Sequence, residues 1–413
     1  MNTTAVIVQA MQWLLDMLGR KIHRAALTIE LDDGARYVLG DGAQQAGIRA
    51  RDASVLRRVA LDPKMRFGEA YVAGLWEPAD CALIDVLRVA ALIQQDLEPG
   101  RVGREITKLQ GNLRQWDYGQ LSRRNVSHHY DRPPAFYASF LDADLHYSCA
   151  YFSEPDMSLE AAQQAKCAHI ARKLDLEPGA EVLDIGCGFG SMALFLAEQY
   201  NARVTGITLS QAQLAVARER ARERGLDQRV QFELLDYRTL DRDFDAIVSI
   251  GMFEHVGRPQ FRTYFDQVRR CLKPHGTALI HSIGRFSPPG RTNPWIAKYI
   301  FPGGYIPALS ETAEALEPHG LLSNDIEIWR LHYAKTLAAW RERFAAVRPQ
   351  WVETYDEAFC RMWEFYLCGS QASFEAGDMM VFHLQLTHDL ERLPLTRNYL
   401  YAPDEAASKA SSA

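Results

Sequence analysis

No two cysteines in this sequence have the CxxC spacing, and there are seven cysteines in 413 residues. Structural zinc sites and small disulfide-stapled domains depend on closely spaced cysteines, so neither is indicated. Scattered cysteines are typical of reduced thiols, most of which are small buried hydrophobic residues. We therefore predict no metal site and a cytoplasmic protein.

The sequence also lacks a run of about 20 apolar residues, the length that a membrane-spanning helix requires. The apolar stretch VIVQAMQWLLDML near the N-terminus contains Gln9 and Asp16. It has neither the basic start nor the cleavage site of a signal peptide. We predict neither a spanning helix nor a secretion signal.

The sequence also has no excess of positively charged residues. The formal net charge is −6, which argues against a general nucleic-acid-binding protein, so we predict no nucleic-acid partner. Hydrophobic residues make up 47% and charged residues 24%, which is typical of a soluble globular protein. A chain of 413 residues exceeds one normal hydrophobic core, so we expect two domains.

From about residue 180 onward, short apolar runs alternate with segments of helical periodicity. The runs include AEVLDIG, ARVTGIT, VQFELLD, FDAIVSIGM and TALIHSI. Such alternation predicts crossover units and a parallel sheet that is buried on both faces. We predict a doubly wound α/β fold, which binds ligands beyond the carboxyl ends of its strands where the strand order reverses.

The first 120 residues have a different pattern. LTIELDDGARYVLG predicts a hairpin that turns at Asp33-Gly34, and CALIDVLRVAALIQQDL predicts an amphipathic helix. We therefore predict a smaller α+β domain with a linker over 1–120, the α/β domain over 121–402 and a disordered tail over 403–413. Near the C-terminus we expect helices around 335–347 and 354–372, followed by the strand MMVFHLQL.

A glycine-rich turn follows the first strand of the α/β region. In LDIGCGFG, Asp184 precedes Gly186, Gly188 and Gly190. Glycine permits a tight turn and a close approach of the backbone to a ligand. The GxGxG spacing differs from the GxGxxG of dinucleotide-binding folds, and the next strand ends without the acidic residue that binds the ribose of NAD. A nicotinamide cofactor is therefore disfavoured.

This turn resembles the first motif of class I S-adenosylmethionine-dependent methyltransferases, which have a Rossmann-like fold. The resemblance implies that Asp184 and the three glycines face the methionine and ribose of the cofactor. Taken alone, Asp184 could instead cap the turn. Further implied cofactor contacts are Tyr147 and Ser148, then Thr208, Leu209, Ser210 and Gln213 on the ribose side, and Asp236 and Tyr237 around the adenine.

Longer strings extend the resemblance and occur in order along the chain: HHYDRPPAFYASFLDADLHYSCAYF, GITLSQAQ, GMFEHVG, LIHSIG and WIAKYIFPGGYIP. Together they resemble the cyclopropane-fatty-acyl-phospholipid synthase family, including its N-terminal extension at GEAYVAGLWE. Phe189 stands where tryptophan is expected and keeps an aromatic ring. The resemblance implies a lipid-handling, dimerising N-terminal domain.

The implied reaction transfers a methylene group from S-adenosylmethionine to the cis double bond of an unsaturated phospholipid acyl chain. Closing the ring removes a proton from the transferred methyl group. A buried anion that acts as base needs several partners in an apolar tunnel, and the family uses a bound bicarbonate. The implied bicarbonate ligands and catalytic residues are Cys149, Glu254, His281, Ile283 through its backbone, and Tyr333.

Each of these residues has an ordinary alternative role. Cys149 and Tyr333 could be core residues, and His281 could be a hydrogen-bonded core histidine. Their joint occurrence favours a site. We expect His255, beside Glu254, to be structural.

The implied substrate lies in a bilayer, so we expect a peripheral protein on the inner face of the cytoplasmic membrane, acting as a homodimer. The N-terminal helix with Trp13, Arg20, Lys21 and Arg24 could contact lipid, or it could be an ordinary packed helix. The basic stretch at 101–124 is a second candidate, or a solvated linker. The segment around Tyr130 is expected to form a lid.

Three alternative functions stay open. A related lipid C-methyltransferase would produce methyl- or methylene-branched acyl chains. A small-molecule methyltransferase would need no lipid-facing extension. A non-catalytic lipid-binding or scaffold protein would be expected to have lost the glycine turn or the Glu254/His281 pair, and both are present.

Overall fold

The computed structural model describes Trp13, Leu15–Leu97 and Arg132–Tyr401. The strands are β1 (Ala25–Leu31), β2 (Arg36–Leu39), β3 (Gln44–Ala50), β4 (Trp76–Ala79), β5 (Glu181–Ile185), β6 (Arg203–Thr208), β7 (Val230–Leu234), β8 (Phe244–Ile250), β9 (Leu272–Arg285), β10 (Leu322–Trp329) and β11 (Met379–Thr387). The helices are α1 (Ala53–Leu61), α2 (Pro63–Val72), α3 (Leu83–Asp96), α4 (Pro134–Ala138), α5 (Leu159–Leu174), α6 (Ser191–Gln199), α7 (Gln211–Glu223), α8 (Phe261–Cys271), α9 (Pro294–Tyr299), α10 (Leu309–Leu316), α11 (His332–Thr354) and α12 (Glu357–Glu375).

These residues form two compact units. The first contains the described part of 1–109 together with Arg291–Ile300 and Ala334–Met379, and the second contains the rest. This division differs from the predicted boundary near residue 120, because α9, most of α11 and α12 belong to the first unit. The physical reason is packing: α12 lies against α2 and α3, and α9 lies against α2.

The first unit is built on a four-stranded sheet with the order β2-β1-β3-β4. β1 pairs antiparallel with β2 and parallel with β3. The predicted hairpin is confirmed, and Gly34 in its turn has φ 88°, a conformation that favours glycine. α3 packs on β1 and β3, which makes this an α+β unit as predicted.

The second unit contains a seven-stranded sheet with the order β10-β11-β9-β8-β5-β6-β7. Strands β5 to β9 pair in parallel. Alternate residues of one strand enter different cores: Leu183 and Ile185 lie in the cluster on one face, and Val182 lies in the cluster on the other. Both faces are therefore buried, as the continuous apolar runs predict. The doubly wound α/β fold is confirmed.

The strand order reverses at β5, which lies between β6 and β8 although it precedes both in sequence. The carboxyl ends of β5, β6 and β8 meet at this position, where sheets of this kind bind ligands. The fold thus brings the glycine turn after β5, the segment after β6 and the Glu254 segment after β8 to one edge of the sheet.

Within the described ranges, no helix is long and apolar enough to cross a bilayer. Several predicted features lie outside those ranges: most of the N-terminal amphipathic segment, the basic stretch at 101–124, Tyr130 and the tail at 403–413.

Candidate active site

A cavity opens at the carboxyl ends of β5, β6 and β8. Its wall is built from parts of 145–148, 184–192, 207–213, 235–238 and 250–260, with Lys166. Ten of the twelve predicted cofactor residues line it: Tyr147, Ser148, Asp184, Gly186, Gly188, Thr208, Leu209, Gln213, Asp236 and Tyr237. Gly190 and Ser210 do not.

The two exceptions have structural roles that account for their residue types. The Ser210 hydroxyl accepts a hydrogen bond from the backbone N–H of Gln213 at 3.3 Å and caps α7. Gly190 has φ 82°, and a Cβ there would lie 2.5 Å from the ring of Phe232. Both residues therefore shape the wall from behind it.

Gly186 is required by packing inside the protein as well as by its conformation. Its φ is 80°, and a Cβ would lie 2.7 Å from Cγ of Met252. Its N–H and that of Cys187 both donate to the Ile207 carbonyl, at 2.9 and 3.0 Å, which fixes the turn against β6. The side chain of Met252, in addition to a ligand, therefore excludes a larger residue at 186.

Asp184 lies at the end of β5 and is 2% exposed. Its Oδ2 atom has no hydrogen-bond partner among the described residues. Burial raises the pKa of this carboxyl to about 7, against the opposing charge of Lys166. An unpaired buried carboxylate oxygen in a cavity wall suits a ligand with hydrogen-bond donors, such as the ammonium or hydroxyl groups of S-adenosylmethionine.

Lys166 is a cavity residue that the sequence analysis missed. It is fully buried on α5, and its Nζ donates to the Ser148 hydroxyl at 3.0 Å. Burial lowers its pKa, and the surrounding Cys167, Asp142, Cys149 and Asp184 oppose this shift. The sequence does contain an indication of this position, because Lys166 falls among the apolar residues on the buried face of α5.

On the side of the cavity where adenine is predicted to bind, an ion pair fixes the side chain of Asp236. The carboxylate of Asp236 accepts from Nε and Nη2 of Arg238 at 2.9 and 2.6 Å. Tyr237 packs edge-on against Tyr264, with ring centroids 5.4 Å apart. On the ribose side, the Thr208 hydroxyl donates to Oε1 of Gln213 at 3.3 Å. These contacts fix the wall residues in place.

Glu254 and Ile283 are in direct contact. Glu254 lies in the short 3-10 turn after β8, and its Oε1 accepts the backbone N–H of Ile283 at 2.6 Å. Its Oε2 is buried and has no partner among the described residues. Burial raises the pKa of Glu254 to about 7, although hydrogen bonds lower it in part. This carboxyl is therefore about half protonated near neutral pH.

His281 lies on β9, two residues before Ile283, and is 2% exposed. Its carbonyl accepts the N–H of Gly251, a cavity residue, at 2.9 Å. Burial, followed by the charges of Lys166 and Lys173, lowers the pKa of His281 to about 3, so the ring is neutral. Its Nδ1 atom lies 2.8 Å from Nε2 of His383.

The segments of Cys149 and Tyr333 approach each other through their neighbours. The N–H of Phe152 donates to Nδ1 of His332 at 3.0 Å. Cys149 is fully buried, and its thiol donates to the Ala150 carbonyl at 3.3 Å. Tyr333 is 9% exposed at the start of α11.

None of the five predicted catalytic residues lines the cavity itself. The structure brings Glu254, Ile283 and His281 together at the ends of β8 and β9. Lys166 connects them electrostatically to the cavity, because its charge acts on both Asp184 and His281.

His255 has a position that the sequence analysis did not assign. It lines the cavity, and its ring packs edge-on against Phe301 with centroids 6.0 Å apart. Burial lowers the pKa of His255 to about 4, so its ring is neutral. His146 also lines the cavity and hydrogen-bonds through Nδ1 to Asp142 at 2.8 Å. Neither residue was among the predicted cofactor contacts.

Comparison with known proteins agrees with this geometry. Residues 119–384 match the family model of mycolic acid cyclopropane synthetase. The chain is 38% identical over 357 residues to the cyclopropane-fatty-acyl-phospholipid synthase of Escherichia coli (strain K12), covering 85% of this chain and 90% of that protein. It is 35% identical over 396 residues to a probable fatty acid methyltransferase of Pseudomonas putida, covering 91% and 96%.

A similar solved structure is mycolic acid cyclopropane synthase CmaA1 in complex with SAH and CTAB. It aligns with a TM-score of 0.61 and 32% identity, covering 64% of this chain and 97% of that one. SAH is the demethylated product of S-adenosylmethionine, so this similarity supports S-adenosylmethionine as the cofactor.

Proposed function

Because this chain belongs to the mycolic acid cyclopropane synthetase family, we propose that it is a cyclopropane-fatty-acyl-phospholipid synthase. Its relatives are S-adenosylmethionine-dependent methyltransferases, and so is this chain. The proposed reaction converts a cis double bond of an unsaturated phospholipid acyl chain into a cyclopropane ring. The observation that supports it most is the pair of buried side chains Glu254 and His281 beside the cofactor cavity, with Glu254 bonded to the backbone of Ile283.

The cofactor supplies an electrophilic methyl group on a sulfonium. In the proposed reaction the π electrons of the alkene form a bond to that methyl carbon as its bond to sulfur breaks, and the positive charge passes to a carbon of the former alkene. A proton then leaves the transferred methyl group, and the C–H electron pair closes the ring. Asp184 and the turn at Gly186 bind and orient the cofactor in the cavity.

The residues around Glu254 fit a small anion such as bicarbonate, which would supply the base. Oε2 of Glu254 is buried and has no partner among the described residues, and a pKa of about 7 allows it to be protonated and to donate. The Tyr333 hydroxyl is a further donor on a neighbouring segment, and the Cys149 thiol becomes one if it gives up its bond to the Ala150 carbonyl. A protonated Glu254 also resolves the repulsion between a carboxylate and an anion. We propose these residues, with His281 and the backbone of Ile283, as the bicarbonate site.

A second candidate function is C-methylation of an acyl chain without ring closure, giving a methyl or methylene branch. The similarity to the Pseudomonas putida protein, over 91% of this chain, favours it. The two reactions share methyl transfer and differ in the fate of the proton.

The experiment uses S-adenosylmethionine labelled with carbon-13 in its methyl group and vesicles of a cis-monounsaturated phosphatidylglycerol. We expect the label to appear in product NMR spectra as a ring methylene. Label in a methyl or exocyclic methylene group would favour the second candidate. Absence of label from the lipid would contradict both.

We also propose peripheral binding to the inner face of the cytoplasmic membrane and a homodimer. Basic residues at 101–124, together with Arg20 and Lys21, support an electrostatic contribution. Co-sedimentation with vesicles is expected to rise with anionic lipid and to fall with salt. Protein that stays in the supernatant with every vesicle composition would favour a free acyl substrate. Analytical ultracentrifugation tests the dimer.

A further inference from the structure

A series of buried polar side chains leads from His281 away from the cavity. Nδ1 of His281 lies 2.8 Å from Nε2 of His383, which is 0% exposed. Nδ1 of His383 lies 3.9 Å from Oε2 of Glu327. The same oxygen is 2.7 Å from Nζ of Lys173 and 2.8 Å from Nε2 of His169. All these residues belong to the second unit.

The far end of this series is a charged group that reaches solvent. Burial raises the pKa of Glu327, but His169 and Lys173 outweigh it and lower the pKa to about 2. Glu327 is therefore an anion at every working pH. Lys173 also lies 3.3 Å from Asp325, which pairs with Arg397, and the Arg397 side chain is 56% exposed.

These groups do not form a metal site. Among the residues that the structure describes, no three His, Cys, Asp or Glu side chains are placed to hold a metal ion. The arrangement resembles instead the carboxylate–histidine pairs that set the tautomer of a catalytic base.

The fixed charge of Glu327 selects between two proton arrangements of the histidine pair. Both rings are neutral, because burial lowers the pKa of His281 to about 3 and that of His383 well below its usual value. If His383 donated through Nε2, its bare Nδ1 lone pair would face the Glu327 carboxylate. If His281 donates through Nδ1 instead, the proton of His383 lies on Nδ1 and points toward that carboxylate. Electrostatics favours the second arrangement.

We propose that His383 and Glu327 are positioning residues that hold His281 with its proton on Nδ1 and with Nε2 free to accept a hydrogen bond. This inference rests on the proposed function, in which a proton leaves the transferred methyl group as the ring closes. With its proton held on Nδ1, His281 presents the lone pair of Nε2 as an acceptor for a protonated group of the site, such as bicarbonate. Glu327 keeps its charge throughout, and no proton has to reach it.

The first test reads the tautomer in the wild-type protein and uses one variant only to assign the signal. Ring-nitrogen-15-labelled histidine gives NMR signals that distinguish a protonated Nδ1 from a protonated Nε2, and loss of a signal in His281→Gln identifies His281. We expect His281 to carry its proton on Nδ1 in the wild-type protein. A His281 ring protonated on Nε2 would overturn the inference, whatever the enzyme makes.

The second test separates proton handling from structure. Glu327→Gln keeps contacts to Lys173 and His169 but removes the charge, so we expect the His281 signal to shift toward the other tautomer. In His383→Gln the amide can either accept from or donate to Nδ1 of His281, so the tautomer of His281 is no longer fixed. We expect ring formation to fall about tenfold or more, with unclosed methylated products rising and cofactor affinity changing less than about threefold.

His319→Gln is the matched control, because His319 is a well-buried histidine that pairs with Asp266 at 2.7 Å, away from the series. It should leave both the His281 signal and the product ratio unchanged. A His383→Gln protein that melts like wild type and gives the wild-type product ratio and rate would overturn the positioning role of His383. A wild-type protein that alkylates no lipid would contradict the proposed function instead, and the tautomer measurement would still decide this inference.

Discussion

Oε1 of Glu254 accepts the backbone N–H of Ile283 at 2.6 Å, and this bond joins the turn after β8 to the end of β9. One carboxylate oxygen is therefore used for structure, and the other, Oε2, has no partner among the described residues. His281 lies two residues earlier on β9. This division would allow one glutamate both to join the strand ends and to take the proposed role in the reaction.

Glu254→Gln is expected to reduce turnover far more than binding. The amide oxygen of glutamine can accept from Ile283, so the strand ends stay joined, but the NH2 group that replaces Oε2 can neither gain nor lose a proton. Removal of proton-handling groups typically costs ~10²–10⁴ in rate, whereas cofactor affinity should change by less than about tenfold, ~1.4 kcal/mol. Steady-state kinetics and calorimetry measure the two effects.

The control for this variant is Glu233→Gln, which removes a carboxylate that pairs with Arg242 at the surface of the same unit. It should retain wild-type turnover. A Glu254→Gln protein with wild-type kcat in bicarbonate-depleted buffer would show that Glu254 is structural.

Gly186→Ala and Gly188→Ala should differ although both residues have positive φ. An alanine at 186 would place its Cβ 2.7 Å from Met252, whereas a Cβ at 188 meets nothing within 4 Å. The left-handed conformation costs about 1–2 kcal/mol in both, and overpacking adds roughly 1–3 kcal/mol at 186. Thermal denaturation should show the larger loss at 186, and equal losses would contradict the role of Met252.

Stability of the cofactor-free protein should fall as pH rises from about 4 through about 7. The folded-state pKa of Asp184 is raised to about 7, above the value of about 3.9 in an unfolded chain. Its contribution is thus fully present below the unfolded pKa and is lost as pH rises through the folded one. Asp184→Asn should flatten this part of the pH profile of the melting temperature. An unchanged slope would contradict the assignment.

Lys166→Met is expected to weaken cofactor binding about tenfold or more at pH 8, or ~1.4 kcal/mol. The variant loses the contact to Ser148 and the charge that favours the ionised form of Asp184. Lys273→Met, which removes a surface lysine paired with Asp245, is the control. If calorimetry gave equal cofactor affinities for both variants, Lys166 would contribute only to packing.

The parallel sheet and the cofactor turn could be predicted from the sequence because both depend on local patterns. Apolar runs identify strands buried on both faces, and the glycines of 186–190 identify a turn with positive φ. The helix expected near 335–347 occurs as the longer α11, and the one expected near 354–372 occurs as α12, which begins three residues later. β10 was missed, because residues 322–329 are too polar to read as a buried strand.

Features that depend on distant segments could not be predicted. His281 and His383 are 102 residues apart, and their contact exists because β9 and β11 are neighbours in the sheet. Ser210 lies in the cofactor motif, yet its side chain caps a helix. The grouping of α12 with the N-terminal unit arises from tertiary packing, which the order of the elements does not encode.

The most direct test of the account is the fate of deuterium in S-adenosylmethionine with a fully deuterated methyl group. After incubation with cis-monounsaturated phospholipid vesicles, the lipid product is analysed by mass spectrometry and NMR. The account predicts that the product retains two of the three deuterium atoms in a ring methylene and contains no alkene, because one is removed as the ring closes. A product that retains all three deuterium atoms in a methyl group would contradict it.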